Sequence, residues 1–161
     1  MSAQVHNGLR SSRFINMCVA NWFLHIYVFS IIPLLNTHFS KLGYEAQWVG
    51  WATLAFAIGM VLPGPFGAHM MERRSRKEIY LKALIVVGPI ATWGYVTFTD
   101  VRLLLAIQLL QGIAFGVSQT ALGTTLVNDI LQSKQRNKGD IIYGWAGRIG
   151  IPLGLFTGYV L

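Results

Sequence analysis

The stretch Val61 to Tyr80, reading VLPGPFGAHMMERRSRKEIY, constrains this chain more than any other. An apolar run closes there in a knot of charge, Glu72-Arg73-Arg74-Ser75-Arg76-Lys77, and a second apolar run starts at once. Two greasy segments joined by so short a basic connection form a membrane hairpin. In lipid each segment must satisfy its backbone groups internally, which selects helix. Short loops rich in Lys and Arg stay on the cytoplasmic side, so this turn is expected inside. Apolar stretches of about 20 residues recur along the chain, long enough to cross a bilayer. Hydrophobic residues make up 53% of the chain and charged residues 12%, about half the usual charged share. A soluble domain has no use for five such stretches.

The net charge of +7 and the pI near 9.9 raise the question of nucleic acid. The distribution answers it. Ten of the thirteen basic residues fall in three places: Arg10 and Arg13; Arg73, Arg74, Arg76, Lys77 and Lys82; Lys134, Arg136 and Lys138. These are alternate loops of a hairpin series, where positive charge fixes orientation. No aromatic–basic interleaving accompanies them, so no nucleic-acid partner is expected. Cys18 is the single cysteine, and no intramolecular disulfide can form. The N-terminal MSAQVHNGLRSSRF lacks a following small-residue cleavage site and reads as the lead-in to a signal-anchor span.

Taken in order, the expected spans are 14–35, 48–71, 79–98, 103–128 and 141–161, after a cytoplasmic tail over 1–13. At 100° per residue, Cys18, Asn21, His25 and Asn36 fall within about 40° of one line along the first span. Pro33 is expected to kink it, and 36–47 is expected as an outer loop. Trp48 and Trp51 open the second span at the interface, and Pro63-Gly64-Pro65 should loosen its lower half. The third span is apolar on all sides, which suits a place against lipid. Thr99 to Arg102 makes a tight outer turn. In the fourth span Gln108, Gln111 and Gln119 lie within about 80° of each other, with Gly112, Gly116 and Gly123 on the neighbouring flank. A polar, basic inner loop follows over 129–140. In the fifth, Gly144, Gly147, Gly150, Gly154 and Gly158 share about 120°, a face that admits close approach of another helix. Arg148 points about 100° from the centre of that stripe.

These features resemble the major facilitator superfamily. Its loop signature, roughly G-x-L-x-D-R-x-G-R-R/K, is matched over 68–77, with Ala68 for the first Gly, Met70 for Leu and Glu72 for Asp. Arg73 matches the first Arg, Ser75 stands for the second Gly, and Arg76-Lys77 match the basic pair. In the fourth span the family's R-x-x-Q-G is met by Gln108-Leu-Leu-Gln111-Gly112, with Gln in place of Arg. In the fifth, G-x-x-x-G-P-x-x-G-G is met at Gly147 and Pro152, while Ile151, Leu155 and Phe156 replace the remaining glycines. The first span, ending LHIYVFSIIPLLNTHFS, resembles bacterial members. The resemblance implies an all-α polytopic bundle of the family's N-terminal half-bundle type. That bundle would lack its sixth helix and pair with the remainder of a twelve-span transporter. It also implies a gating charge cluster of Glu72, Arg73 and Arg76 with Asp129 and Arg136.

The candidate residues divide by chemistry. Asn21, His25, Gln108, Gln111 and Gln119 are expected to line a polar cavity, since polar groups in hydrocarbon must be bonded or wet; interhelical bonding is the plainer role for the same residues. A charge at mid-span, as at Arg148, costs roughly 2.5–3.5 kcal/mol on insertion scales and faces a partner or a wet cavity. His25 has a reference pKa near 6.5 and could carry protons. Gly112, Gly116, Gly147, Gly150, Pro152, Gly154 and Gly158 are expected to serve helix packing. Metal-ligand spacing, a phosphate-binding loop and a nucleophile–base pair are missing from the sequence, so neither an enzyme nor a cofactor or metal site is expected. The expected function is secondary transport of a small solute by an integral protein of the cell membrane, the bacterial inner membrane by resemblance, with its N-terminus inside. A five-span scaffold that moves nothing is the competing expectation.

Overall fold

The computed structural model describes residues 9–65, 74–125 and 135–160, with side-chain placement for 9–65, 86–124 and 135–160. Those residues form five long helices: α1 Ser12–Lys41, α2 Ala46–Val61, α3 Arg74–Thr97, α4 Val101–Thr125 and α5 Arg136–Val160. No strand occurs among the described residues. Ser12–Lys41, Ala46–Pro65 and Val101–Thr124 are each long and apolar enough to cross a membrane. In α5 the same apolar character is diluted by glycines and by Arg148, and in α3 by the charged residues of its first turns. The protein is an all-α membrane helix bundle.

The helix ends show where the expected boundaries need correction. α1 begins where Ser11 Oγ accepts the Phe14 backbone N–H at 3.2 Å, a side-chain cap that satisfies one of the orphan donors of the first turn. It then runs through Pro33 to Lys41, six residues past the expected end. Its stop is Gly43, whose φ of +78° is the left-handed conformation that favours glycine. Gly43 N–H bonds to Ser40 O at 3.1 Å and Tyr44 N–H to Phe39 O at 3.0 Å. That pair is the Schellman pattern, and the expected apolar contact completes it, with the Tyr44 ring 5.8 Å from the fully buried Phe39 ring. The connection between α1 and α2 is therefore only Leu42 to Glu45.

α2 closes at Val61; Leu62 keeps helical backbone angles and its N–H still bonds to Ile58 O at 3.1 Å, but Pro63 has no N–H with which to continue the ladder. Pro63 to Pro65 form a separate helical turn. α3 has already begun at Arg74, so the latter part of the basic knot opens a helix and not a loop. α3 and α4 are joined by Phe98, Thr99 and Asp100. There Asp100 Oδ1 caps α4 by accepting the Arg102 backbone N–H at 2.7 Å. α5 begins at Arg136, five residues before the expected start, and takes Arg136, Lys138 and Asp140 into helix.

Within the helices, threonine hydroxyls turn back onto their own backbone. Thr53 donates to Val49 O, Thr92 to Gly88 O, Thr97 to Trp93 O and Thr120 to Gly116 O, at 2.8 to 3.0 Å. A hydroxyl bonded four residues back needs no water, which is what a span in hydrocarbon requires.

The chain divides into two compact units, Met1–Ile31 with Leu122–Leu161, and Ile32–Ala121. α1 passes from one to the other two residues before Pro33. In the first unit, α1 and α5 meet along glycines. A methyl group at Gly150 would stand 2.7 Å from Trp22 O and one at Gly154 2.6 Å from Ile26 O, while at Gly158 it would overlap Ser30 O. The contacts advance four residues at a time on both helices and in the same direction, so α1 and α5 run parallel. Phe14 is buried near their N-terminal ends against Leu9, Met17, Cys18 and Tyr143.

The second unit repeats the device between α2 and α4. Added methyl groups at Gly59, Gly112 and Gly116 would overlap Leu109 O, Phe56 O and Met60 O, respectively. Phe56 and Phe115 rings meet at 5.9 Å beside this seam. The register again rises in step, so α2 and α4 are parallel too. α3 packs on α4 through a narrow face of Gly88, Ala91 and Gly94, where Ile107 fills the space a Gly94 side chain would take. α3 is therefore not uniform around its circumference. One side is small and buried, and the other carries the exposed Val86, Ile90, Trp93 and Val96.

Candidate functional site

In the first unit the polar residues gather where α1 crosses Gly147. Asn21 is 1% exposed, and its Nδ2 donates to the backbone carbonyl of Tyr143 at 2.9 Å. One turn further along α1, His25 Nδ1 lies 2.8 Å from Asn21 O. A carbonyl only accepts, so Nδ1 carries the proton, and in the neutral ring Nε2 is then the acceptor. The imidazole lies parallel to the Phe29 ring at 6.1 Å. Gly147 makes room for all of this, since a methyl group there would stand 2.8 Å from His25 Cε1 and 2.9 Å from Asn21 Nδ2. One small residue on α5 thus sets the positions of two polar side chains on α1.

Arg148, the next residue of α5, points away from that seam. It is exposed, and its guanidinium carbon lies 5.8 Å from the centre of the Trp145 ring. It makes no ion pair among the described residues. Of the other residues on α5, Gly147, Gly150, Gly154 and Gly158 are buried, while Pro152 lies exposed and Gly144 has no neighbour within 4 Å of where a side chain would begin.

In the second unit Gln108 and Gln111 are buried, as is Ser118, and Gln119 is half-buried. Gln111, 1% exposed, accepts a hydrogen bond at Oε1 from Tyr95 OH at 3.0 Å. Its Nε2 is buried with no hydrogen-bond partner among the described residues, an unusual state for an amide inside a helix bundle. On the flank beside these glutamines, Gly112 and Gly116 lie in the α2–α4 seam, and Gly123 has no described residue within 4 Å of where a side chain would begin. The α1–α2 and α3–α4 connections of this unit are tied together, Tyr44 OH donating to Thr99 O at 2.9 Å.

Of the expected charge cluster, Glu72, Arg73 and Asp129 lie outside the described residues, and Arg76 lies in α3 where side chains are not described. Arg136 is the exposed first residue of α5. Sequence reasoning missed Tyr95, the Tyr143 carbonyl, Trp145 and Gly59. Trp145 was open to detection, because it lies three residues before Arg148 and so on the same helix face. The Tyr143 carbonyl was not, because backbone acceptors leave no mark in sequence.

Apolar helices of membrane-crossing length, with amides withdrawn from the lipid side, define a polytopic integral membrane protein. The family model described as Major Facilitator Superfamily matches residues 17–161. The chain belongs to that superfamily, whose members are transporters. No curated protein and no solved structure gives a significant match.

Proposed function

We propose that the protein is a secondary transporter of a small solute, its five helices contributing to one of two bundles that rock about a solute held near mid-membrane. The observation that carries this reading is the burial of Asn21, Gln108 and Gln111 in helices otherwise fit for lipid. Each costs stability in hydrocarbon, and each is repaid by function if the solute or water reaches it during the cycle. His25 and Gln119 belong to the same candidate set, and Arg148 adds the one charge. Glu72, Arg73, Arg76, Asp129 and Arg136 are proposed as the inner gating cluster, on the family resemblance of their positions. The cell membrane, bacterial by resemblance, with an inside N-terminus, is the proposed location.

The test is uptake by the protein reconstituted in liposomes. Saturable uptake that Asn21→Leu or Gln108→Leu abolishes, with the variants still monodisperse, is the expected result. Glu72→Gln should slow turnover without affecting insertion. Absence of saturable uptake across a broad panel of metabolites and drugs would favour a non-transporting scaffold.

A further inference from the structure

Gln111 Nε2 is a buried donor with no acceptor among the described residues, on a side chain 1% exposed. Its orientation is set by Tyr95, whose OH donates to Oε1 at 3.0 Å. Tyr95 thus holds the amide by its oxygen and leaves the two N–H bonds of the nitrogen to be satisfied from elsewhere. Gln111 lies 10 residues past the Asp100-capped start of α4 (111 − 101), which is about 15 Å of helix. Half the hydrocarbon thickness is also about 15 Å, so the donor sits near mid-membrane. Leucine would fill the same space without the cost of an unsatisfied donor. Packing alone therefore does not account for the amide.

The surroundings are neutral. Within the unit Ile32–Ala121, the stretches 32–40, 46–71, 83–99 and 103–121 carry no Asp, Glu, Lys or Arg. Lys82, the last cation of α3, is 13 residues from Tyr95 (95 − 82), about 20 Å along the helix. Asp100 and Arg102 are exposed at the start of α4. Beside Gln111 on α4, Phe115 is buried and apolar, and Gln108, one turn earlier and 5% exposed, is a second neutral amide. An ion brought here would lose its hydration with no counter-charge to replace it. A neutral solute loses far less, and a carbonyl or hydroxyl oxygen on it supplies the acceptor that the Gln111 N–H groups lack. Resting on the transport reading, which provides the opening that admits the solute, we infer that Gln111 recognises an uncharged solute bearing such an oxygen, with Tyr95 as the positioning residue that aims its amide.

The experiment uses probes that share a carbon chain and differ in charge at one end: sorbitol, gluconate and the amine analogue glucamine. Nicotinamide and nicotinate make a second set. Saturable uptake by the whole protein in liposomes and thermal unfolding in detergent are measured with each. Probes are kept at millimolar concentration, below the range where polyols stabilise proteins by exclusion. Sorbitol or nicotinamide should be taken up and should raise the unfolding temperature, and the charged probes should do neither. Gln111→Leu should lower that uptake at least tenfold. Without solute it should unfold at or above the wild-type temperature, because it removes the unsatisfied amide. Tyr95→Phe should raise KM severalfold with kcat nearly kept, the split that a positioning role predicts. If Gln111→Leu does not fold, Gln111→Met replaces it at similar length.

The outcomes separate the two readings. Gln111-dependent stabilisation by a neutral probe without uptake keeps the site and removes transport. Saturable uptake of a charged probe as fast as its neutral counterpart keeps transport and overturns the inference. Neutral uptake that Gln111→Leu leaves intact does the same, and assigns the amide to an internal water. Tyr95→Phe with KM unchanged removes the orientation on which the inference stands. No stabilisation and no uptake by any probe overturns both.

Discussion

At the scale of single residues, the glycines of the two seams are set apart by what they face. Gly154 meets the Ile26 backbone carbonyl, which cannot rotate aside as a side chain would. Gly154→Ala must push α1 and α5 apart and should cost about 1–3 kcal/mol, as overpacking does. Gly144→Ala and Gly123→Ala meet none of the described residues and should be neutral or slightly stabilising, since alanine favours helix; thermal unfolding of all three in one detergent checks the contrast. Tyr95 and Gln111 give a second comparison. Tyr95→Phe leaves the Gln111 amide with neither of its ends bonded and should destabilise by about 0.6 kcal/mol or somewhat more. The double variant Tyr95→Phe, Gln111→Leu removes the unsatisfied amide altogether and should recover that loss or exceed it. Equal stability of the single and double variants would show that the Nε2 group finds a partner during thermal motion.

At the scale of elements, the ends of the helices were harder to read than their middles, for a physical reason. Apolar period and length reveal where a span lies, because lipid enforces them over twenty residues at a time. Ends are set by single groups: Ser11 and Asp100 as caps, Gly43 as a left-handed stop. Asn36 looked like the start of a loop because it is polar, yet α1 continues past it to Lys41. Gly43→Ala therefore tests the end of α1 directly. Forcing a side chain into the left-handed region should cost about 1–2 kcal/mol. It should also release the Tyr44 ring from Phe39, observable as faster amide exchange at Gly43 and Tyr44. The polar face of α4 was legible from its 3.6-residue period, whereas the small buried face of α3 was not, because Gly88, Ala91 and Gly94 do not stand out in an apolar run.

At the scale of the whole molecule, alternating charge leads to one expectation about sidedness. In a Cys18→Ala background, Thr99→Cys should react with a membrane-impermeant maleimide from outside intact cells. Arg136→Cys should react only after permeabilisation. The reverse pattern would invert the topology, and reaction of both from outside would mean that α4 does not cross. The class of the fold was readable from hydropathy and the family from three short motifs, but the role of each polar residue was not. Periodicity gives a residue's angle on its helix. Asn21, Gln111 and Arg148 were alike by that measure, and they differ in what stands opposite: a carbonyl, a tyrosine hydroxyl, an indole.

The parallel seams also limit how such a protein can move. Trp22, Ile26 and Ser30 mesh with Gly150, Gly154 and Gly158 like a rack with teeth four residues apart. Small sliding between α1 and α5 would drive each carbonyl into the Cα next to its notch. Slip is then permitted only by a whole tooth, about 6 Å at 1.5 Å per residue. Small displacements during a working cycle must carry each interlocked pair as one rigid piece.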